Sequence, residues 1–412
     1  MKTRYVIIGN SAAGLFAAEA IRKTDTLGQI LLVDAEREEP YSRCMTTYYI
    51  EGKTDKEHMR LRDGDHWRKC GIETRFGVAV TSVDAGRKQV SLADGTILPY
   101  DKLLLATGSS ARKVPLEGAE ERDIYRMRTL NDADRLLFAV EKGKKRVALF
   151  GGGLVSLKTA AALKKRGAEL TLVSNSDRLL SSQLDDIASD ILVSHMEENG
   201  VRLIFGTTAK RMLKNGEGEC CGVVLTNGET LACDLFFAGK GVTPNSDIAP
   251  KGMVKNEEGF ILTDSRMATN LPDIYAAGDV ALSFDRLSGE PAVYAIWPSA
   301  TEQGAIAGQN MAGKKTLYQG AVSMNALEFM GLKAIVAGDS VGIAPDAVSE
   351  CIFLPKRKLY QKCVFRNGRL VGYILMGETK NAGTLTSCLG KELTFEEAVT
   401  LLEKGVLTRD LK

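Results

Sequence analysis

The sequence lacks a long apolar run and an excess of charge of one sign. No apolar stretch approaches the roughly 20 residues that cross a bilayer, and 54 Lys and Arg residues face 52 Asp and Glu residues, for a net charge of +2. The absence of a long apolar run argues against a membrane span. The balanced charge argues against a dedicated nucleic-acid binder, which concentrates positive charge. Prolines are few, at 10, whereas glycines number 41. Many tight turns, rather than low-complexity linkers, are therefore expected in about two or three domains.

The eight cysteines and three histidines form no local metal or dithiol motif. The cysteines stand at positions 44, 70, 220, 221, 233, 351, 363 and 388, and no two of them have CxxC or CxxxxC spacing. We therefore expect no metal site and free thiols in a reducing compartment. The short apolar stretch at the amino terminus runs directly into a glycine turn, so we interpret it as a β-strand and not as a signal peptide. A cytoplasmic protein is expected.

The chain repeats one supersecondary pattern. Residues 4–34 read as strand, glycine turn, Ala-rich helix and strand, and residues 146–174 repeat that order. Each segment has the length and periodicity of a βαβ unit. Two such units predict an α/β chain with two nucleotide-binding lobes.

The first glycine turn carries the features of a dinucleotide site. In Gly9-Asn-Ser-Ala-Ala-Gly14, Gly9 provides the tight turn and Gly14 the close approach of helix to strand. Ser11, in the place of the middle glycine, is small enough for backbone N–H groups to reach a pyrophosphate. Asp34 ends the second strand, where a carboxylate accepts hydrogen bonds from a ribose diol.

The second turn differs at two positions. Gly151-Gly-Gly153-Leu-Val-Ser156 has serine in the place of the third glycine, and the following strand ends at Ser174 without a carboxylate. Ser174 and Arg178 could bind the 2′-phosphate of NADPH. The same residues are equally compatible with NADH, whose ribose would then form hydrogen bonds with the backbone and with water. The choice between NAD and NADP stays open.

The rest of the chain predicts further strands and a distinct end. The runs Lys102–Gly108 and Asp273–Asp279 are apolar and buried in character. From about Tyr318 the sequence alternates, with an Asn-Gly turn inside Arg366–Arg369 that predicts a hairpin. Thr394–Glu397 has the form of a capping box at the start of the last helix.

Leu105-Ala-Thr-Gly108 and Ile274-Tyr-Ala-Ala-Gly-Asp279, placed around the second glycine turn, carry a family resemblance. The chain resembles the FAD-dependent pyridine nucleotide-disulfide oxidoreductase superfamily, nearest its NAD(P)H:rubredoxin/ferredoxin oxidoreductase and nitrite-reductase-like branch. The resemblance implies two nested Rossmann-like dinucleotide-binding domains plus a small α+β C-terminal domain, with FAD as cofactor and NAD(P)H as co-substrate. The expected domains are 1–111 and 241–316 for FAD, 112–240 for NAD(P), and 317–412 as an interface domain.

The resemblance also implies site residues. Gly241–Asn245 would mark the return of the chain to the FAD domain, and Trp297 would begin a helix whose amino terminus faces the flavin. The residues expected to contact FAD are Gly9, Ser11, Ala12, Gly14, Asp34, Ala35, Arg43, Val80, Ala106, Thr107, Gly108, Asp279 and Trp297. Those expected to contact NAD(P) are Gly151, Gly153, Leu154, Ser156, Ser174, Arg178 and Gly241.

Two positions depart from the pattern of many members of the superfamily. Where those members have Tyr and Glu in the second fingerprint, this chain has Leu154 and Lys158. A positive charge on Lys158 would favour a reduced, anionic flavin beside it, so Lys158 is a candidate catalytic residue. An outward-pointing helix lysine is the alternative.

Cys44 is the second candidate catalytic residue. It stands four positions before the aromatic pair Tyr48-Tyr49, which is similar to the single-cysteine branch of NAD(P)H oxidases, peroxidases and coenzyme A-disulfide reductases. A thiolate next to Arg43 could cycle through a sulfenate or a mixed disulfide. Tyr41–Arg43 is also similar to rubredoxin- and nitrite-reductase-type flavoproteins, which lack this cysteine.

The favoured function is an FAD flavoprotein that moves hydride between NAD(P)H and flavin. It would pass single electrons to or from a small iron–sulfur protein, ferredoxin or rubredoxin. The alternatives are a Cys44-dependent oxidase, peroxidase or disulfide reductase, and a non-enzymatic flavin redox sensor. The sequence leaves the acceptor, the direction and the subunit number open, a homodimer included.

Overall fold

The computed structural model describes residues 2–405, and within them the chain forms 26 β-strands and nine α-helices. The strands in chain order are β1 (Arg4–Ile8), β2 (Gln29–Asp34), β3 (Ile72–Phe76), β4 (Val80–Asp84), β5 (Gln89–Leu92), β6 (Ile97–Pro99), β7 (Lys102–Leu105), β8 (Ser109–Ala111), β9 (Ile124–Tyr125), β10 (Arg146–Phe150), β11 (Glu169–Val173), β12 (Val201–Ile204), β13 (Ala209–Lys214), β14 (Cys220–Leu225), β15 (Thr230–Ala232), β16 (Leu235–Ala238), β17 (Val242–Pro244), β18 (Ile261–Leu262), β19 (Ile274–Ala276), β20 (Ala281–Phe284), β21 (Pro291–Ala292), β22 (Met324–Phe329), β23 (Leu332–Gly338), β24 (Val348–Leu354), β25 (Leu359–Arg366) and β26 (Arg369–Met376). The helices in chain order are α1 (Ala12–Thr24), α2 (Thr46–Glu51), α3 (Gly64–Cys70), α4 (Leu130–Glu141), α5 (Leu154–Lys165), α6 (Asp186–Glu198), α7 (Trp297–Met311), α8 (Ala382–Cys388) and α9 (Phe395–Gly405).

The chain divides into two compact units, and both are discontinuous in sequence. Unit 1 contains residues 1–45, 54–110 and 242–321, and unit 2 contains residues 46–53, 111–241 and 322–412. The carboxyl-terminal segment thus groups with the second glycine-turn segment. The finer division into four domain segments stays a prediction.

Unit 1 is built on a parallel sheet with the strand order β19-β7-β1-β2-β3. The central strands β1 and β7 are apolar and buried along nearly their whole length, as expected for a parallel sheet covered on both sides, whereas the edge strand β3 carries polar residues. β1 pairs with β2 on one side and with β7 on the other, so the strand order reverses beside β1. Gly9 follows β1 directly. Ligands of doubly wound sheets bind at such a reversal, outside the carboxyl ends of the strands.

Two helices of unit 1 pack at very short range. A Cβ atom added to Gly304 of α7 would lie 2.1 Å from the carbonyl oxygen of Ala13 in α1, and one added to Gly308 would lie 2.4 Å from that of Ala17. The small residues of the Ala-rich helix therefore meet glycines on α7. Larger residues at these positions would separate α7 from α1, which carries the first glycine turn.

Unit 2 repeats the parallel arrangement, with the strand order β12-β11-β10-β16-β9 and Gly151 directly after β10. An antiparallel sheet, β13-β14-β15, precedes β16 in the chain. The carboxyl-terminal segment forms an antiparallel sheet, β22-β23-β26-β25-β24. Leu327, Phe329 and Ile374 of that sheet share a core cluster with Leu157 of α5. The sheet and the nucleotide-binding layer thus bury common apolar surface.

Local sequence signals predicted the carboxyl-terminal elements correctly. Asn367 and Gly368 have φ values of +50° and +71° and join β25 to β26. At the start of α9, Glu397 accepts a hydrogen bond from the Thr394 backbone N–H at 2.8 Å, and the Thr394 hydroxyl accepts one from the Glu397 N–H at 3.2 Å.

Two buried runs are shorter as strands than the sequence predicts. β7 ends at Leu105 and β19 ends at Ala276. Gly108, with φ of +66°, and Gly278, with φ of +79°, lie in the turns that follow. Both turns come at the carboxyl edge of the parallel sheet.

Candidate functional site

The first glycine turn requires glycine for steric reasons. The Gly9 N–H donates to the Val33 carbonyl at 2.8 Å, and a Cβ on Gly9 would lie 2.1 Å from the carbonyl oxygen of Ala106. A Cβ on Gly14 would lie 1.7 Å from the carbonyl oxygen of Gly9. The turn thus brings β1, β7 and α1 within van der Waals contact. Ser11 is the N-cap of α1, and Ala12 is its first residue.

Asp34 lies at the end of β2 and holds two backbone amides. One carboxylate oxygen accepts from the Asn10 N–H at 2.6 Å and the other from the Glu36 N–H at 2.7 Å. Burial raises the pKa of Asp34, and these two N–H groups act in the opposite direction. The carboxylate is therefore fixed beside the glycine turn, with lone pairs left for hydroxyl donors.

Arg43 binds residues of the same site. Its guanidinium donates to Glu36 at 2.5 Å, to the Tyr41 hydroxyl at 3.1 Å and to the Ser11 hydroxyl at 3.2 Å. Cys44 is the next residue in a short 3₁₀ turn, Arg43–Met45, and is exposed. The cation that the sequence suggested as an activator of Cys44 is thus engaged by Glu36 and Tyr41.

The segment after β7 is tied to the start of the returning chain. The Thr107 hydroxyl donates to the Asn245 carbonyl at 2.7 Å, and the Asn245 amide donates to the Thr107 carbonyl at 2.9 Å. The Asn245 N–H also donates to the Gly108 carbonyl at 2.9 Å, and Ser110 donates to the Asn245 side chain at 2.7 Å. Asn245 therefore joins the two crossing segments within unit 1.

Asp279 and the first residue of α7, Trp297, are two further residues of unit 1 that are expected to contact the flavin. Asp279 accepts a hydrogen bond from the Ser109 hydroxyl at 3.1 Å. The preceding Gly278 N–H donates to Gln303 of α7 at 2.8 Å, which sets the turn that presents Asp279. Trp297 is the first residue of α7 and is half-buried, packed against the core of unit 1.

The residues of unit 1 fit the adenosine end of a dinucleotide. A cavity of about 250 Å³ opens at the carboxyl edge of the sheet, next to the glycine turn. Its lining includes Gly9, Asp34, Ala35, Val80 and Thr107, all predicted FAD contacts. A backbone cradle at Gly9 beside a fixed carboxylate is the donor and acceptor set that a pyrophosphate and a ribose diol require.

The second glycine turn requires glycine for the same steric reason as the first. A Cβ on Gly151 would lie 2.3 Å from the carbonyl oxygen of Gly239, so β10 and the end of β16 meet as β1 and β7 do. Gly153 is the exposed N-cap of α5, with open space where a Cβ would be, and Leu154 begins the helix half-buried. Gly241, with φ of +87°, lies at the same edge, beyond β16. The amino terminus of α5 is open to an anionic group.

Ser156 lies inside the protein, away from this opening. It is fully buried, and a Cβ on Gly239 would lie 2.1 Å from its hydroxyl oxygen. Among the residues that the structure describes, this oxygen has no hydrogen-bond partner. Ser156 therefore takes the packing role of the third glycine.

The structure does not bring Ser174 and Arg178 together on one ligand surface. Ser174 is buried, and its hydroxyl accepts from the Ser176 N–H at 3.2 Å. Arg178 forms an ion pair with Asp186, the first residue of α6. A 2′-phosphate would therefore have to compete with Asp186 for the guanidinium.

Lys158 lines a pocket of about 220 Å³ in unit 2, away from the second glycine turn. The other charged residues of this pocket are Glu51, Lys53, Lys165, Glu328 and Lys333. Glu51 is paired with Lys53 at 2.7 Å and with Lys165 at 3.2 Å. Lys158 thus belongs to a charged cluster between α2, α5 and the carboxyl-terminal sheet.

Three features of the structure were missed by the sequence analysis. Asn10 contributes its backbone N–H to Asp34, but any residue type offers that donor, so no sequence signal exists. The amide of Asn245 was not singled out, although an Asn directly after a proline at a chain crossing is a turn signal. Cys220 and Cys233 lie with their Sγ atoms 3.8 Å apart, which their spacing of 13 residues does not reveal.

Between residues 2 and 405, no helix is both long and apolar enough to cross a membrane. In the same range, no three His, Cys, Asp or Glu side chains are grouped so that they could hold a metal ion.

Two parallel sheets, each with a glycine turn at the reversal of strand order, define a two-dinucleotide-fold oxidoreductase. The chain belongs to the pyridine nucleotide-disulphide oxidoreductase family, which matches residues 3–304. Residues 324–393 match the rubredoxin NAD+ reductase C-terminal domain. The chain is therefore an FAD-dependent NAD(P)H oxidoreductase, and the family and fold predictions are confirmed.

Similar proteins include two relatives and one solved structure. The chain is 34% identical to the NADH-dependent phenylglyoxylate dehydrogenase subunit epsilon of Aromatoleum evansii, over 94% of this chain and 91% of that protein. It is 31% identical to the 3-phenylpropionate/cinnamic acid dioxygenase ferredoxin–NAD(+) reductase component of Photorhabdus laumondii, over 75% of this chain and 77% of that protein. The ferredoxin reductase for the CYP199A2 system of Rhodopseudomonas palustris has a TM-score of 0.88 and 25% identity, and the match covers 98% of this chain and 100% of that one.

Proposed function

We propose that the chain moves electrons between NAD(P)H and a small iron–sulfur protein, ferredoxin or rubredoxin. The observation that carries this proposal is the match of residues 324–393 to a rubredoxin reductase C-terminal domain. In the structure these residues include all five strands of the antiparallel sheet β22–β26. The relatives named as ferredoxin reductases support the same class of partner.

The residues of unit 1 would bind and orient FAD. The glycine turn would receive the pyrophosphate, Asp34 the ribose diol, and Asp279 a ribityl hydroxyl. When bound, FAD supplies a centre that exchanges two electrons with a nicotinamide and single electrons with a metal cluster. The amino-terminal end of α7, at Trp297, would favour negative charge next to it because of the helix dipole.

The residues of unit 2 would bind the nicotinamide nucleotide. Gly153 leaves the first N–H groups of α5 open to the pyrophosphate. Gly151 and Gly239 bring β10 and β16 close enough for the nucleotide to lie across the sheet edge. Leu154 stands where many members of the superfamily have a Tyr that covers the nicotinamide site. No aromatic ring at this position would therefore have to move when the nicotinamide binds.

A basic turn on the carboxyl-terminal sheet offers a contact for an acidic partner. Lys356 and Arg357 are exposed in the 3₁₀ turn between β24 and β25. Lys358, the next residue, is only partly exposed; it pairs with Glu198 and lies 3.0 Å from His195. We assign partner attraction to Lys356 and Arg357 because their side chains are exposed.

The function is tested by following NAD(P)H oxidation with ferredoxin, rubredoxin, oxygen and coenzyme A disulfide as acceptors. We expect an iron–sulfur acceptor to exceed oxygen and the disulfide in kcat/KM by at least about tenfold. Turnover only with oxygen, peroxide or the disulfide would reject the proposal. Turnover only within a larger complex would instead match the subunit role named for the Aromatoleum relative.

The partner contact has its own test. Charge reversal at Lys356 and Arg357 is expected to raise the KM for an acidic ferredoxin and to leave ferricyanide reduction unchanged. The matched control is Lys142→Glu, which changes an exposed lysine in unit 2 at the end of α4. Equal effects of both changes would reject a specific basic contact.

One observation favours the rival enzyme. Cys44 is exposed directly after Arg43, a residue of the predicted flavin site. A thiol at that place could act as a second redox centre for peroxide or a disulfide. The two readings differ in the number of electrons that the protein stores.

A further inference from the structure

Cys220 and Cys233 form a thiol pair in unit 2 that the proposed electron transfer does not use. Cys220 begins β14, and Cys233 follows β15 directly. Because β14 and β15 are antiparallel and Gly222 pairs with Ala232, the two ends of the hairpin meet. The Cys233 N–H donates to the Cys221 carbonyl at 3.3 Å, and the Sγ atoms of Cys220 and Cys233 are 3.8 Å apart.

The two thiols differ in environment. Cys220 is partly exposed, whereas Cys233 is 1% exposed. The contact with the Cys233 thiol lowers the pKa of Cys220, helped by the nearby Lys144 and opposed by burial and by Asp123. The same contact and burial raise the pKa of Cys233. Cys220, the more exposed of the two, is therefore the thiol that an oxidant reaches first, and the buried Cys233 thiol is its neighbour at 3.8 Å.

We propose that Cys220 and Cys233 are a site of reversible disulfide formation, with hydrogen peroxide as the oxidant. The Cys220 thiolate attacks one peroxide oxygen, the O–O bond breaks, and Cys220 becomes a sulfenic acid while the other oxygen leaves as water after protonation. Cys233 Sγ then attacks Cys220 Sγ. The S–S bond forms, the S–O bond breaks, and the oxygen leaves as water with the Cys233 proton. Two thiols thus lose two electrons, and one peroxide becomes two waters.

The pair needs only a small local movement to close. A disulfide has an S–S distance of about 2.05 Å, so the sulfur atoms must approach by about 1.8 Å. Cys220 is the first residue of its strand, and Cys233 lies in the connection between β15 and β16. Rotation of two side chains at the ends of strands changes no sheet register.

The pair lies at the edge of unit 2 that is opposite to the nucleotide turn. Cys233 precedes Asp234, whose carboxylate accepts from the Arg146 N–H at 2.9 Å at the start of β10. Gly151 and Gly239 lie beyond the other ends of β10 and β16. Oxidation is therefore expected to stabilise the fold and to leave NAD(P)H oxidation unchanged.

Peptide mapping of the full-length holoprotein tests the proposal. The reduced protein is treated with a slight excess of hydrogen peroxide, alkylated, and digested with trypsin and a glutamyl endopeptidase. Cleavage after Glu229 separates residues 220–229 from residues 230–240. We expect these two peptides to be joined, with a loss of two hydrogen atoms, and to separate when a thiol reductant is added.

Neighbouring cysteines give matched controls. Cys221→Ser should keep the cross-link, because Cys221 is exposed and it is the Cys220 Sγ that contacts the Cys233 Sγ, whereas Cys220→Ser and Cys233→Ser should each abolish it. Oxidised wild-type protein should melt about 5 °C higher than the reduced form, because the cross-link restrains the unfolded chain. Alkylation of both thiols after peroxide treatment, or a cross-link through Cys221 or Cys44 instead, would overturn the proposal.

Discussion

At the scale of single residues, the two glycine turns share their backbone chemistry and differ at the ribose position. Asp34 is the last residue of β2 and Ser174 directly follows β11, and each side chain accepts a hydrogen bond from the backbone N–H two residues later. Only Asp34 adds a charge and spare lone pairs. Unit 1 is therefore suited to an unmodified diol, and unit 2 carries no repulsion against a 2′-phosphate.

The first prediction concerns the choice of nucleotide. Because Arg178 is paired with Asp186 and Ser174 is buried, no 2′-phosphate site is preformed. We expect kcat/KM for NADH to be at least equal to that for NADPH, and Arg178→Ala to change both alike. Asp186→Ala should free the guanidinium and raise the NADPH:NADH ratio of kcat/KM severalfold. A selective loss of NADPH activity in Arg178→Ala would show that Arg178 already binds the phosphate.

The second prediction concerns Asp279. Asp279→Ala should weaken FAD binding by about 1–3 kcal/mol, the value of a hydrogen bond to a charged group. It should also remove the hydrogen bond that the Ser109 hydroxyl donates to the carboxylate in the folded protein. Fluorescence titration of the apoprotein with FAD measures the loss, and Asp279→Asn, which keeps an acceptor oxygen, should lose less. Unchanged affinity in both variants would remove Asp279 from the flavin site.

At the scale of elements, the sequence predicted those helices, strands and turns that depend on the spacing of neighbouring residues. The two βαβ units, the Asn-Gly hairpin and the capping box at Thr394 depend on neighbouring residues, and the structure contains all of them. By contrast, β7 and β19 end earlier than predicted because the chain turns at the carboxyl edge of the sheet, at Gly108 and Gly278. The engagement of Arg43 by Glu36 and the approach of Cys220 to Cys233 depend on tertiary packing, so periodicity alone could not reveal them.

The third prediction concerns the contact of α1 with α7. Gly308→Ala places a methyl group 2.4 Å from a backbone oxygen of α1, which cannot rotate away. The gain in helix propensity, about 1 kcal/mol, is smaller than the cost of the overlap, about 1–3 kcal/mol. We expect a lower melting temperature and weaker FAD retention.

A matched glycine supplies the control for that change. Gly383 of α8 is exposed, with nothing within 4 Å of an added Cβ. Gly383→Ala should therefore raise stability by up to about 1 kcal/mol. Equal destabilisation in both variants would mean that the α1–α7 contact is not the cause.

At the scale of the whole molecule, the chain enters each of its two compact units more than once. Residues 46–53 already belong to unit 2, between two segments of unit 1. Composition and periodicity indicated two nucleotide-binding lobes, but the nested order came from the resemblance carried by Thr107-Gly108 and Asp279. The choice of electron acceptor depends on the docking surface of the protein and on the reduction potentials of the two partners. Neither the spacing of motifs nor the amino-acid composition measures these properties.

The last prediction separates the two enzyme functions through Cys44. If electrons pass from flavin to an iron–sulfur protein, the thiol is not on their route. Cys44→Ser should then keep ferredoxin- or rubredoxin-linked turnover within about tenfold, or about 1.4 kcal/mol of barrier. Anaerobic titration of the wild-type protein should consume about two electrons per chain, the capacity of flavin alone. Uptake of four electrons, together with loss of peroxide or disulfide reduction in Cys44→Ser, would establish Cys44 as a second redox centre. The titration is made with the Cys220–Cys233 pair fully reduced, because a disulfide there would also take up two electrons.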